Sequence, residues 1–317
     1  MESPTVGVVG LGLLGRGIAT CLVSRGLRVI GFDLNPDVMA AAQAHMAAAL
    51  DEMHVRKALP ASLWQGWEDR YQSAESLTDL TECQFVIESV VEDLEAKRSL
   101  FARLEEILAV HIPIGSNTSA LPISRLQSKC RHPERVIGMH WAEPCHLTRF
   151  LEVIRGDKTD DATTQAAIQL GELAGKEPSL VQKDVPGFIV NRLGYAMYRE
   201  AFWLLEQGVA DVETIDRSFR NALSVWADVA GPFRWMDLTG LPAYASVMEH
   251  LLPELSRSTD VPHTMKELVA SGARGIANGR GFYEYTPEEA KRWEQILTEN
   301  VWRNTPALPE KSPPVSP

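Results

Sequence analysis

Two side chains twelve residues apart, His140 and Glu152, have the types needed to move a proton at neutral pH. His140 ends the apolar run Val136 to His140, and Glu152 lies inside the next apolar run, Phe150 to Ile154, so an intervening loop can bring the two together. A carboxylate bonded to one imidazole nitrogen fixes the tautomer and stabilises the imidazolium, which leaves the other nitrogen to act as general acid or base. A second constellation, Gly10-Leu11-Gly12-Leu13-Leu14-Gly15, serves anions rather than protons. Its first glycine permits a tight turn, its second lets backbone approach a pyrophosphate, and its third lets helix pack on strand.

Elements of defined type must carry these groups. Thr5 to Gly10 is a β-branched apolar run that stops at glycine, and Gly15 to Arg25 is helical, with Ile18, Ala19, Leu22 and Val23 on one side. Arg28 to Asp33 is a second strand, and Asn35-Pro36 has helix-start chemistry ahead of the alanine-rich run Val38 to Leu50. Further strands are expected at Phe85 to Val91, Pro113 to Ser116, Val136 to His140 and Phe150 to Ile154, with helical patterns between them such as Leu94 to Leu108. This alternation predicts an α/β fold with a Rossmann-type, doubly wound and mainly parallel sheet. After Asp184-Val185-Pro186-Gly187 the periodicity becomes helical throughout. The predicted organisation is therefore a dinucleotide-binding domain over 1–184, an all-helical substrate and dimerisation domain over 185–303, and a proline-rich, disordered tail over 304–317.

Asp33 ends the second strand eighteen residues after Gly15, where a carboxylate can bind the adenosine ribose hydroxyls. It would repel a 2′-phosphate, and neither Leu34 nor Asn35 offers a cation to accept one, so NAD is favoured over NADP. Composition narrows the remaining possibilities. Of 317 residues, 31 are Lys or Arg and 42 Asp or Glu, a net charge of -11 that argues against nucleic acid or an anionic membrane as the main partner. Cys21, Cys83, Cys130 and Cys145 have neither CxxC nor regular spacing, and no HExxH occurs, so neither a metal nor a disulfide framework is expected. A cytoplasmic protein without a membrane span is the default, and the glycine-rich start containing Arg16 does not read as a signal peptide.

The ordered set of Gly10-x-Gly12-x-x-Gly15, Ser116-Asn117-Thr118-Ser119, Gly138-Met139-His140-Trp141, Phe150-Leu151-Glu152-Val153-Ile154 and Lys183-Asp184-Val185-Pro186-Gly187-Phe188-Ile189-Val190-Asn191-Arg192 resembles the L-3-hydroxyacyl-CoA dehydrogenase family. The resemblance runs from about residue 5 to about 286. It also takes in the family's branches that act on free hydroxy acids, among them L-gulonate, L-carnitine and a pyridine carboxylate of vitamin B6 breakdown. It implies an NAD-dependent oxidoreductase with His140 as acid/base, Glu152 as its orienting partner, and Ser119 and Asn191 hydrogen-bonded to the reacting oxygen. It further implies cofactor contacts from Leu13, Leu14, Glu92 and Lys97, and a homodimer formed through the helical domain.

Two departures bear on the substrate. Where the family has Asn-Pro after the catalytic histidine, this chain has Glu143-Pro144. Three readings of Glu143 stand side by side: contact with a cationic or polyhydroxylated substrate, a protonated carboxyl in a dry pocket, or an outward-facing side chain. The lysine-rich tail that suits coenzyme A phosphates is reduced here to Arg56 and Lys57, beside Asp51 and Glu52. The expected substrate is therefore a small free hydroxy acid oxidised at its 3-hydroxyl, with Arg149 as a candidate carboxylate anchor and Trp141 as a candidate flank. A short-chain 3-hydroxyacyl-CoA dehydrogenase is the alternative, and a catalytically idle NAD-binding protein the second.

Overall fold

A computed structural model describes residues 4–305 together with residues 307 and 308. The chain order is β1 (Thr5–Val9), α1 (Leu13–Ser24), β2 (Arg28–Phe32), α2 (Pro36–Val55), α3 (Ala61–Trp64), β3 (Tyr71–Ser73), β4 (Phe85–Glu88), α4 (Leu94–Ile107), β5 (Ile114–Ser116), α5 (Ile123–Gln127), β6 (Val136–Trp141), β7 (Phe150–Arg155), α6 (Asp161–Leu173) and β8 (Glu177–Val181). It continues as α7 (Val190–Glu206), α8 (Val212–Ser218), α9 (Ser224–Ala227), α10 (Pro232–Thr239), α11 (Leu241–Leu251), α12 (His263–Ala270) and α13 (Pro287–Arg303).

The strands form one sheet in the order β3-β2-β1-β4-β5-β6-β7-β8. Every neighbouring pair is parallel except β6 and β7. The first six strands follow the doubly wound order, which reverses between β1 and β4 and opens a crevice at their carboxyl ends. Two cores form, one on each face of the sheet. The larger one gathers Ile18 and Leu22 of α1, Met46 and Leu50 of α2, and Met139 and Trp141 of β6. The other gathers Phe101 and Leu104 of α4 with Ile123, Val136 and Phe188. Helix starts follow the sequence chemistry: Asn35 Oδ1 accepts the Asp37 N–H at 2.9 Å ahead of α2, with Pro36 at the first helical position.

The chain divides into two compact units, Met1–Asn191 with Leu297–Pro317, and Arg192–Ile296. The division thus falls a few residues after the predicted one, and the end of α13 belongs with the first unit. The reason is local: Arg56 of α2 forms an ion pair with Glu299 at 2.8 Å and lies over the Trp302 ring, and the Leu308 N–H bonds the Ala58 carbonyl. Residues 304, 305, 307 and 308 are described, and the rest of the predicted tail lies outside the described residues. Among the described residues, no helix is long and apolar enough to cross a membrane.

Candidate active site

β6 and β7 run antiparallel with His140 directly opposite Glu152, so both side chains emerge on the same face of the sheet. Nδ1 of His140 lies 2.8 Å from Oε2 of Glu152, and both residues are buried. An ionised carboxylate can only accept, so Nδ1 carries the proton and Nε2 keeps its lone pair. The imidazole is held from both sides by aromatic rings, Phe150 at 5.5 Å and edge-on, Phe188 at 5.9 Å.

The second oxygen of Glu152 is also committed. Oε1 accepts the backbone N–H groups of Ile189 and Val190, both at 2.9 Å. Burial on its own would raise this carboxyl; the bonds from His140, Val190 and Ile189 outweigh it and hold the group below the ordinary carboxylate value. The anchored segment is conformationally demanding. Phe188 has φ 49°, a left-handed backbone that is unusual for a bulky residue, and its buried ring holds it there.

One residue further on, Asn191 Nδ2 donates to the Ser119 carbonyl at 2.9 Å. His140, Glu152, Asn191 and Ser119 are therefore joined by one chain of hydrogen bonds and adjacent residues. The Ser119 loop is fixed in turn by Glu92, whose Oε1 accepts the Thr118 hydroxyl and the N–H groups of Ser119 and Ala120. Burial pushes Glu92 up, but the Thr118 hydroxyl, the Lys97 charge and the two N–H groups bring it below its usual value. Lys97 has no exposed side-chain surface. It sits 2.6 Å from Glu88 and 3.4 Å from Glu92, so it is held between the two carboxylates and does not face solvent.

The glycine loop fits a dinucleotide. Gly10 has φ 88°, and a Cβ there would meet the Ser89 backbone at 2.7 Å. A Cβ on Gly15 would lie 1.8 Å from the Gly10 carbonyl oxygen. Around Gly12 nothing lies within 4 Å, so backbone is open to an approaching phosphate, and no side chain caps α1. Leu13 and Leu14 open that helix, where free N–H groups attract anions. Asp33 Oδ2 accepts the Leu11 N–H at 2.8 Å and Oδ1 the Asn35 N–H at 3.0 Å. The carboxylate thus braces the loop and still has lone pairs for ribose hydroxyls.

Two candidate substrate contacts are not brought to the pair. Trp141 follows His140 on the strand, so it emerges on the opposite face and is buried in the larger core. Arg149 points its guanidinium at Glu177, the first residue of β8, in an exposed ion pair at 2.7 Å. Glu143 has an intermediate position. The residue is exposed, but Oε1 comes within 2.8 Å of where a Gly17 Cβ would stand and 3.7 Å from Cys145 Sγ, and the shielding on that side pushes the carboxyl up. Sequence reasoning assigned nothing to Asn117, which ties the ends of two strands: its Nδ2 donates to Ser89 Oγ at 3.0 Å and its Oδ1 accepts the Trp141 N–H at 3.1 Å. Its place one residue past β5, level with the end of β4, was the available signal.

Comparisons with known proteins identify the family. The family model for the 3-hydroxyacyl-CoA dehydrogenase NAD binding domain matches residues 5–185, and the model for the C-terminal domain of the same enzymes matches residues 187–285. A 5-formyl-3-hydroxy-2-methylpyridine 4-carboxylate 5-dehydrogenase of Mesorhizobium japonicum is 35% identical over 292 residues, covering 90% of this chain and 92% of the relative. A 3-hydroxybutyryl-CoA dehydrogenase of Bradyrhizobium diazoefficiens is 34% identical over 281 residues, covering 88% and 94%. Among solved structures, a pyridine carboxylate 5-dehydrogenase described as an NAD+ dependent dismutase superposes with TM-score 0.86 at 31% identity, covering 95% of this chain and 96% of that one. The (S)-3-hydroxybutyryl-CoA dehydrogenase of Ralstonia eutropha gives 0.75 at 32%, covering 90% and 100%.

Proposed function

Since the chain belongs to the 3-hydroxyacyl-CoA dehydrogenase family and is an NAD-dependent oxidoreductase, we propose that its substrate is a small free hydroxy carboxylic acid and that His140 is the acid/base. The 2.8 Å contact between His140 Nδ1 and Glu152 Oε2 carries the acid/base assignment. NAD, when bound, supplies the ring carbon that accepts hydride from the substrate carbon. His140 Nε2 takes the hydroxyl proton as the C–O bond gains its double character. Glu152 keeps the ring in the proton-accepting tautomer and balances the imidazolium charge. Ser119 and Asn191, uncharged and linked to each other, hydrogen-bond the reacting oxygen without competing for its proton.

The preference for a free acid rests on α2. Arg56, one of two cations that coenzyme A phosphates could use there, is already paired with Glu52 and Glu299. The short-chain acyl-CoA reading draws on the 3-hydroxybutyryl-CoA relatives. NADH absorbance with acetoacetyl-CoA in the reductive direction, set against a panel of free hydroxy acids with NAD, separates the two. We expect kcat/KM for the preferred free acid to exceed that for the thioester by about tenfold or more, one charged contact's worth. Efficient thioester turnover would overturn the preference.

We extend the reading to a cytoplasmic homodimer paired through the helical half. Within Arg192–Ile296, Phe233, Leu238 and Val225 are each more than two-thirds exposed, and a cavity of about 530 Å³ opens among Tyr198, Phe202, Ile215, Met265, Leu268 and Phe282. Apolar surface on this scale calls for a partner. Sedimentation should return about twice the 35.1 kDa chain mass, and a monomer at micromolar concentration would count against pairing.

A further inference from the structure

On the face of the sheet opposite the His140 pair, three basic side chains from three elements converge. Arg16 comes from α1, His45 from α2, and His146 from the loop between β6 and β7. The two imidazoles meet edge to face, with ring centres 6.2 Å apart and planes at 78°. His146 is only 8% exposed, and its Nδ1 has no hydrogen-bond partner. Arg16 Nε is buried in the same way, without a partner, and Arg16 makes no ion pair among the described residues. Leaving two such groups unmatched carries a desolvation cost, so the arrangement lacks a hydrogen-bond partner at each.

The charged groups that act on the two imidazoles are basic. Burial is the main cause disfavouring a further proton on His45 and on His146; Arg16 adds to it at His45, and His45 and Lys176 add to it at His146. Lys176 is fixed: its Nζ donates to the Cys145 and Thr148 carbonyls and lies 5.1 Å from the Trp141 ring centre. Two acidic groups adjoin the cluster, Glu143 and the Cys145 thiol. Burial of its inner side pushes the Glu143 carboxyl up while the Arg16 and Lys176 charges act against that, and no ion pair joins it to Arg16; burial pushes the Cys145 thiol up so that it stays neutral. Arg16 and His45 are half-buried, which leaves the cluster open to solvent on their side, with His146 as its floor.

We propose that Arg16, His45 and His146 form an oxyanion-binding site, separate from the glycine loop, that takes a phosphoryl or carboxylate group. The anion supplies the acceptor that Arg16 Nε lacks and a partner for His146 Nδ1 once that nitrogen carries a proton, and each histidine that gains a proton on binding becomes a second donor. His146 in the free protein, held neutral with a value lowered to about 4, gives a direct readout of that proton.

The test is a titration of the full-length chain, labelled at histidine, with inorganic phosphate in one arm and glutarate in the other, each repeated with saturating NAD. Saturable shifts of the His45 and His146 ring signals at near-neutral pH, kept in the presence of NAD, support the site. The arm that binds tells a phosphoryl ligand from a carboxylate. Arg16→Gln should weaken binding about tenfold or more, the value of one charge-assisted hydrogen bond, and His45→Gln should weaken it as well should the first variant fold poorly. Silence of both ring signals in both arms, loss of the response when NAD is present, or unchanged affinity in a folded variant would each overturn the proposal.

Discussion

His140→Gln should lower kcat by about 10² to 10⁴-fold, the usual contribution of a positioned acid/base, with little change in NAD affinity. Glutamine keeps a donor for Glu152 and fills much of the space between Phe150 and Phe188, so the fold tolerates it. It has no nitrogen lone pair that accepts a proton near neutral pH. The loss therefore falls on the chemical step rather than on cofactor binding at the glycine loop, which the change does not touch. NADH formation measured with the best acid found in the substrate panel, together with NAD titration by tryptophan fluorescence, checks both halves. Activity within a few-fold of the parent would remove His140 from the reaction.

Glu152→Gln should cost about 10³ to 10⁴-fold in kcat, because the amide reverses the tautomer that the carboxylate imposes. Its oxygen can still accept from Ile189 and Val190, which turns the NH₂ group toward His140. Nδ1 must then accept, Nε2 carries the hydrogen, and the ring can no longer take the substrate's proton. The pH consequence has a definite sign. Glu152 lies below its unfolded value of about 4.3, so its ionised form stabilises the fold above that value, and the contribution is lost as pH falls through the lower folded value. The variant should lack this part of the acid-unfolding curve when followed by circular dichroism. An unchanged curve together with unchanged kcat would show that the contact is ornamental.

How far the sequence reaches can be judged element by element. Strand, glycines, helix and Asp33 were legible because each rests on local rules: β-branched residues, positive φ at Gly10, and a strand-end carboxylate. The His140 and Glu152 pairing was legible because two apolar runs separated by a short loop have few ways to align. Two strands were not. β3 is the three-residue Tyr71–Ser73 and β8 begins Glu177-Pro178, and both lie at the sheet's edges, where alternation is weak and proline is tolerated. Trp141 was judged by its nearness to His140 in the chain, although successive strand residues face opposite ways. Arg149 and Arg56 were counted as available cations, yet Glu177 and Glu299 lie 28 and 243 positions away and carry no local signal; only Glu52, paired with Arg56 at i,i+4, was near in the chain.

The left-handed turn at Gly187 and Phe188, where the sheet passes to α7, has a consequence for how this protein fails in acid. The same carboxylate that aims the imidazole also tethers the two amides just beyond that turn. A single protonation would slacken both moorings at once, so disarmed chemistry and a loosened crossover should arrive together, reversibly, before the rest of the molecule gives way.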